Sequence, residues 1–263
     1  MLFRSNGWAS LGYWPLLVLA LPWWWRELRE GRYQPRAVLF GWMLAITMSV
    51  GLGISLHETF GRHETWTLVF SGLAGTLFLA GSRWWEAGTT WWQRPLQTVG
   101  AVEGVVLGLV LSFKDTWPSS SWNVTPHGQI WASMVAAVWP VAAVTLWVLA
   151  CRRRDERELL MGALPLATIV SYALVNLTGA REAGMLVMNL YLFALGVGTL
   201  TSGVRSQRLG LVNAGMLVLA AVILCRFFDA DLGFVTRGVA FIVLGIGFLV
   251  TNLVMLRRKG AAQ

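Results

Sequence analysis

The feature that most constrains this chain is a series of apolar stretches, separated by short polar segments, that recurs along its whole length. A helix needs roughly 20 mostly apolar residues to cross the hydrocarbon core of a bilayer. Of the 263 residues, 56% are hydrophobic and only 13% are charged, which is far from the composition of soluble domains. The sequence therefore predicts a polytopic membrane protein, and it argues against a cytosolic enzyme, a disulfide-stapled secreted domain and a nucleic-acid-binding protein.

The apolar stretches predict an all-α membrane protein in which about nine transmembrane helices form one bundle and a single domain over residues 1–263. The helices are expected near residues 8–25, 37–56, 65–81, 96–113, 129–149, 159–177, 183–201, 209–227 and 234–256. The first contains Pro15 and Pro22. A kinked, tilted or partly interfacial helix is therefore an alternative to a full span there.

The basic residues predict the orientation of these helices, because short cytoplasmic loops retain an excess of Lys and Arg. One set of alternate loops holds most of them, namely Arg26, Arg29, Arg32, Arg36, Arg83, Arg94, Arg152, Arg153, Arg154, Arg157, Arg205, Arg208, Arg257, Arg258 and Lys259. The other set holds Arg4, Arg62, Lys114, Arg181, Arg226 and Arg237. With nine spans, this places the amino terminus outside and the carboxyl terminus in the cytoplasm. The net charge of +8 is then a sign of topology and not of a nucleic-acid partner.

One acidic residue, Glu103, lies well inside a predicted span. A carboxylate at that depth is costly unless it is protonated, paired or hydrated, which makes it a candidate functional site. Gly100, Gly104 and Gly108 recur beside it at a spacing that lets another helix approach closely. Two interpretations are open, a neutral acid that joins helices and a proton- or cation-coupling site. Polar groups on other spans that could meet it are Thr168, Ser171, Tyr172, Asn189 and Asn213.

A second candidate is a charge network at the outer ends of the last two spans. Arg226 and Asp229 are three residues apart, and Asp229 or Asp231 can cap the following helix. Arg237 falls inside that helix and needs a carboxylate partner or a route to the interface. The alternatives are a charge-locked turn and a site for a phosphate, a carboxylate or a lipid headgroup.

The same region carries a family resemblance. The stretch over residues 189–259 contains Arg226, Asp229, Arg237, Gly238, Phe241, Gly245, Gly247, Asn252, Arg257, Arg258 and Lys259. It resembles the C-terminal helices of a family of multipass bacterial inner-membrane proteins known only as a domain of unknown function. The resemblance implies a bacterial inner-membrane protein of this topology and assigns no catalytic residue.

The histidines form a third and weaker candidate. His57, His63 and His127 all fall on the predicted outer side. Three imidazoles could bind a metal ion or titrate as the outer pH falls, but the spacing of His57 and His63 does not align them on one helical face. Polar interfacial histidines are the simpler interpretation, and no cofactor is expected.

Three classes of function fit these features. A transporter or permease-like protein with Glu103 as the coupling site is favoured slightly. A non-catalytic membrane subunit or assembly partner of a cell-envelope or respiratory complex is the alternative, because no reaction chemistry is visible. An enzyme acting on lipid-linked substrates, with Asp115 and His127 on the outer loop, is a third. The expected surroundings are the lipid bilayer and other membrane proteins.

Overall fold

The computed structural model describes residues 13–31, 33–60, 63–84, 90–117, 130–152 and 156–229, together with positions 239, 242, 245–247, 249 and 250. These residues are almost entirely helical, and no strand occurs among them. The helices are α1 (Tyr13–Glu30), α2 (Pro35–Phe60), α3 (His63–Trp84), α4 (Pro95–Leu111), α5 (Ile130–Cys151), α6 (Glu156–Gly162), α7 (Leu164–Thr178), α8 (Arg181–Arg205) and α9 (Leu209–Asp229). The prediction of an all-α protein is confirmed.

Within the described part of the chain, three helices are long and apolar enough to cross a membrane: Pro35–Leu56, Arg181–Arg205 and Leu209–Arg226. Shorter apolar helices occupy Pro95–Leu111, Ala137–Cys151 and Leu164–Thr178. A helix overlaps each of the first eight predicted spans. Most of the predicted ninth span, 234–256, lies outside the described residues. The count of nine spans and the positions of the termini stay predictions.

Two predicted spans differ most from the structure. The first is predicted over 8–25, but α1 continues to Glu30, because Arg26 and Glu30 form an ion pair of 3.0 Å one turn apart that suits an exposed helix. The sixth, predicted over 159–177, is divided into α6 and α7. Pro165 lies in the first turn of α7, where its missing N–H would have no helical partner in any case.

The outward faces of several helices are apolar. Val102, Val106 and Val110 form a stripe on α4 and are 58%, 54% and 47% exposed. On α8, Leu186 and Leu190 are similarly exposed, whereas Met188, Leu192 and Leu195 on the same helix are completely buried. Soluble monomers rarely expose such contiguous apolar surface. This distribution, with the three membrane-length helices, indicates a membrane location.

Helix α3 lies in the middle of the described bundle, where it packs against α2, α4, α5, α6 and α7. Leu73, Ala74, Leu77 and Phe78 are almost fully buried on it. Its Thr76 hydroxyl donates a hydrogen bond of 3.2 Å to the Trp139 carbonyl of α5. Helix α5 remains a single helix through Pro140, although a proline inside a helix removes one backbone hydrogen bond.

The crossing of α3 and α4 depends on Gly100. A Cβ atom at this position would lie 2.5 Å from the Phe78 amide nitrogen and 2.6 Å from the Ala74 carbonyl oxygen, both of which are backbone atoms. At Gly104 the nearest atom is Cδ2 of the Leu164 side chain, 3.3 Å away, and a side chain can rotate. The two glycines are therefore a matched pair for substitution by alanine, since an added Cβ meets backbone at Gly100 and a movable side chain at Gly104.

We predict that Gly100→Ala lowers the free energy of unfolding by about 1–3 kcal/mol, because the two backbones must move apart. Gly104→Ala should cost far less. Thermal unfolding of both variants, purified in the same detergent, measures the difference. Equal destabilisation by the two substitutions would contradict this account of the crossing.

Candidate functional site

The glycine face of α4 places Glu103. Gly100, Gly104 and Gly108 are buried, and they lie against α3, Leu164 of α7 and Leu192 of α8 respectively. With this face turned inward and the valine stripe turned outward, Glu103 lies between the two. Its half-buried side chain extends toward α2.

The hydrogen-bonding neighbour of the Glu103 carboxyl is the hydroxyl of Ser49 on α2. That hydroxyl also lies 2.9 Å from the Ala45 carbonyl, to which it can donate. Within the described residues, the second carboxyl oxygen of Glu103, Oε2, is buried and makes no hydrogen bond. The ion pairs found there, Arg26–Glu30 and Lys114–Glu182, do not involve Glu103.

These contacts define what the site can do chemically. A carboxylate is stabilised by several donors or by a nearby cation, and the described surroundings of Glu103 provide one shared hydroxyl. A neutral carboxylic acid needs fewer donors around it, because its own O–H can donate to the Ser49 hydroxyl while that hydroxyl donates to the Ala45 carbonyl. The contact between α2 and α4 therefore accommodates two hydrogen-bonding arrangements. In one, Ser49 donates to an ionised Glu103, and in the other, a protonated Glu103 donates to Ser49.

Four of the five polar residues expected near Glu103 make hydrogen bonds elsewhere. Thr168 donates to the Leu164 carbonyl, and Ser171 donates to Ala167. The Tyr172 hydroxyl lies 2.6 Å from the Thr67 hydroxyl, and the Asn189 amide donates to Met185 at 2.7 Å. Ser49 was missed because nothing in its spacing within α2 links it to α4.

A second buried carboxyl, Glu158, was also missed from the sequence. It lies on α6 and is only 9% exposed, and its Oε2 makes no hydrogen bond to the described residues. The predicted sixth span begins one residue later, which assigns Glu158 to a polar loop. Its position immediately before the apolar stretch was the sequence feature that could have indicated its burial.

Arg226 fixes the end of α9 to the end of α4. One guanidinium nitrogen, Nη2, donates to the carbonyl of Ser112, which is the C-terminal cap of α4. The other, Nη1, lies 3.2 Å from the Met185 sulfur, and the guanidinium carbon lies 5.7 Å from the centre of the Phe113 ring. A cation is favoured there, because the last carbonyls of a helix carry partial negative charge.

The other members of the predicted outer network are not among the described side chains. Asp229 ends α9, but nothing beyond its backbone is described, and Asp231 and Arg237 lie outside the described residues. The network stays a prediction. The contacts of Arg226 with α4 and α8 were not anticipated, because sequence spacing relates residues within a helix and not between helices.

The same end of α4 is closed by an aromatic residue. Trp117 is buried, its indole N–H donates to the Leu111 carbonyl at 2.9 Å, and its ring packs edge-on against Tyr172. Beside it Lys114 and Glu182 form an exposed ion pair of 2.5 Å. The hydrogen bond with Glu182 raises the pKa of Lys114.

The opposite end of the bundle gathers basic residues. Arg208 lies in the turn after α8, close enough to Arg94 before α4 to affect it. Burial and the Arg208 charge lower the pKa of Arg94, and Tyr33 between α1 and α2 acts in the opposite direction. Three connections that the sequence assigned to one membrane side therefore lie at one end of the bundle.

The predicted metal candidates lie outside the described side chains. His57 and His63 belong to α2 and α3, but only their backbone is described, and His127 lies outside the described residues. In the remainder of the chain that the structure describes, no group of three or more His, Cys, Asp or Glu residues could hold a metal ion.

Comparisons of the chain with protein-family models, with curated proteins and with solved structures give no match. The resemblance of residues 189–259 to a family of bacterial inner-membrane proteins therefore stays a prediction. Any assignment of function rests on the geometry of the site.

We predict that Arg226→Met destabilises the protein by about 1.5–3 kcal/mol, because the variant loses a charge-assisted hydrogen bond to the end of α4. Arg152→Met is the matched control, since Arg152 is exposed at the end of α5. Thermal unfolding in detergent compares the two variants. The capping role would be wrong if both unfolded at the temperature of the unsubstituted protein.

Proposed function

We propose that the protein is a multipass bacterial inner-membrane protein of the transporter or permease class, in which Glu103 is the coupling site. The observation that carries the proposal is the Glu103 carboxyl at the contact between α2 and α4, which has one buried, unpartnered oxygen and Ser49 as its neighbour. Buried acids inside membrane bundles commonly mark proton or ion pathways. A carboxyl between two helices links a change of charge to a change in helix contact.

The proposal includes nine spans, with the amino terminus outside and the carboxyl terminus in the cytoplasm. The gathering of Arg94, Arg208 and Tyr33 at one end of the bundle supports the alternation of loops. At the opposite end, Arg226 donates to the Ser112 carbonyl, and Lys114 pairs with Glu182. The excess of basic residues at the first end favours the cytoplasm.

This topology predicts the labelling of thiols in intact cells. Cys151 is exposed at the end of α5, on the proposed cytoplasmic side, and an impermeant maleimide should label it only after the membrane is opened. In a variant with both native cysteines replaced, Ser120→Cys should be labelled without opening. The reverse pattern would invert the proposed orientation.

The coupling role predicts separate effects for two isosteric substitutions. Glu103→Gln keeps the size and hydrogen-bonding capacity of a neutral acid but cannot release a proton. Glu158→Gln removes the other buried acid and serves as the matched control. We expect Glu103→Gln to fold normally and to lose coupled transport, and Glu158→Gln to retain it.

The measurement uses vesicles loaded with a pH-sensitive dye, to which amino acids, sugars and inorganic ions are added in turn under an imposed pH gradient. Thermal stability is measured on the same preparations. A Glu103→Gln protein as active as the unsubstituted one would reject the coupling role. A Glu103→Gln protein that fails to accumulate would assign Glu103 to structure instead.

The alternative is a non-catalytic membrane subunit, and the valine stripe of α4 favours it. Helix α4 packs against α2, α3, α8 and α9, yet Val102, Val106 and Val110 remain exposed. A helix of a partner protein could cover such a face as well as lipid does. Copurification of the protein in a stoichiometric complex would favour this function, whereas solute-dependent stabilisation of the isolated protein would favour the transporter.

A further inference from the structure

A groove with a volume of about 420 Å³ lies between α1 and α2. The residues that line it are Trp23, Glu27, Arg36, Leu39, Phe40 and Met43. The Trp23 and Phe40 rings contact each other edge to face across the two helices, with their centres 4.5 Å apart. The groove is thus a defined feature of the α1–α2 hairpin.

The lining residues are ordered along the groove by charge. Trp23 and Glu27 are one turn apart on α1, and Glu27 is nearer the connection to α2. On α2, Arg36 lies beside that connection, and Leu39 and Met43 lie further along the helix. The hydrogen bond of 3.0 Å from the Trp14 indole to Ser55 joins the far ends of the two helices, so they run antiparallel. The two charges therefore share one end of the groove, and its remainder is apolar.

The two charged side chains of the groove do not pair with each other or with other described groups. Among the described residues, neither Glu27 nor Arg36 makes an ion pair or a side-chain hydrogen bond. The neighbouring charges on α1 differ, because Arg26 and Glu30 pair with each other at 3.0 Å. Glu27 and Arg36 are thus available to a ligand that carries one positive and one negative group.

We propose that this groove binds a phospholipid with an amine-bearing zwitterionic headgroup, of the phosphatidylethanolamine type. Arg36 pairs with the phosphate, and Glu27 accepts hydrogen bonds from the ammonium group. An acyl chain lies along Trp23, Leu39, Phe40 and Met43. The site is at the end of two helices beside Arg26 and Arg29, which is the depth at which headgroups lie.

Charge complementarity favours this ligand over an anionic lipid. A phosphatidylglycerol headgroup would satisfy Arg36, but it would place no cation beside Glu27. A site for anionic lipid would be built from basic residues alone. The carboxylate of Glu27 is therefore the residue that sets the selectivity.

The experiment measures lipid retained by the purified full-length protein, by native mass spectrometry after incubation with equal amounts of phosphatidylethanolamine and phosphatidylglycerol of the same acyl chains. The unsubstituted protein should retain phosphatidylethanolamine preferentially. Glu27→Gln should remove that preference, and Arg36→Gln should weaken retention of both lipids by about tenfold. The double variant Arg26→Gln, Glu30→Gln is the control and should behave as the unsubstituted protein.

Two outcomes would overturn the proposal. One is equal retention of the two lipids by the unsubstituted protein, a result that does not depend on any variant folding. The other is a preference for phosphatidylethanolamine that survives both Glu27→Gln and Arg36→Gln, since the lipid would then bind elsewhere.

Discussion

The contact on which the rest of the structure depends is the close approach of α3 and α4 at Gly100, where the α4 backbone lies against the Ala74 carbonyl and the Phe78 amide. Helices in a bilayer gain little from the hydrophobic effect when they associate, because lipid is as apolar as their side chains, so close packing at small residues becomes decisive. Once the glycine face of α4 is fixed against α3, the rotation of α4 about its axis is fixed as well. Glu103 must then face α2, and the valine stripe must face outward.

Both ends of α4 are also held. At its N-terminal end, the Thr98 hydroxyl donates to the carbonyl of Trp91, which precedes α4. The Trp42 indole of α2 donates to the carbonyl of Trp92, and both hydrogen bonds are 2.9 Å long. After its end, Trp117 folds back onto Leu111, and Arg226 binds Ser112. Because α4 is held along its glycine face and at both ends, a change in the protonation of Glu103 would act first on the contact with Ser49. In the proposed function, that contact links the protonation of Glu103 to the packing of α2 against α4.

The sequence predicted those features that depend on one helix alone. The length of the apolar stretches predicted the helices, and the four-residue spacing of the glycines predicted a face suited to close packing. The depth of Glu103 marked it as unusual. Features that depend on how helices meet were missed, namely the Ser49 neighbour, the Arg226 contact with Ser112 and the burial of Trp117. The division at Ala163 was missed for another reason, since a proline in an apolar stretch is compatible with both a kink and a new helix start.

The charged residues at the two ends of the bundle connect the proposed topology with lipid. At the end that carries Ser112, Lys114 pairs with Glu182 and Arg226 caps α4. At the other end, burial and repulsion from the charge of Arg208 lower the pKa of Arg94, which also donates a hydrogen bond of 3.2 Å to the Gln97 side chain. Phosphate groups of lipid headgroups relieve such repulsion between neighbouring cations. In the proposed topology this end of the bundle lies at the cytoplasmic membrane surface, where headgroup phosphates can reach its basic residues, and the proposed lipid groove between α1 and α2 lies at the same end.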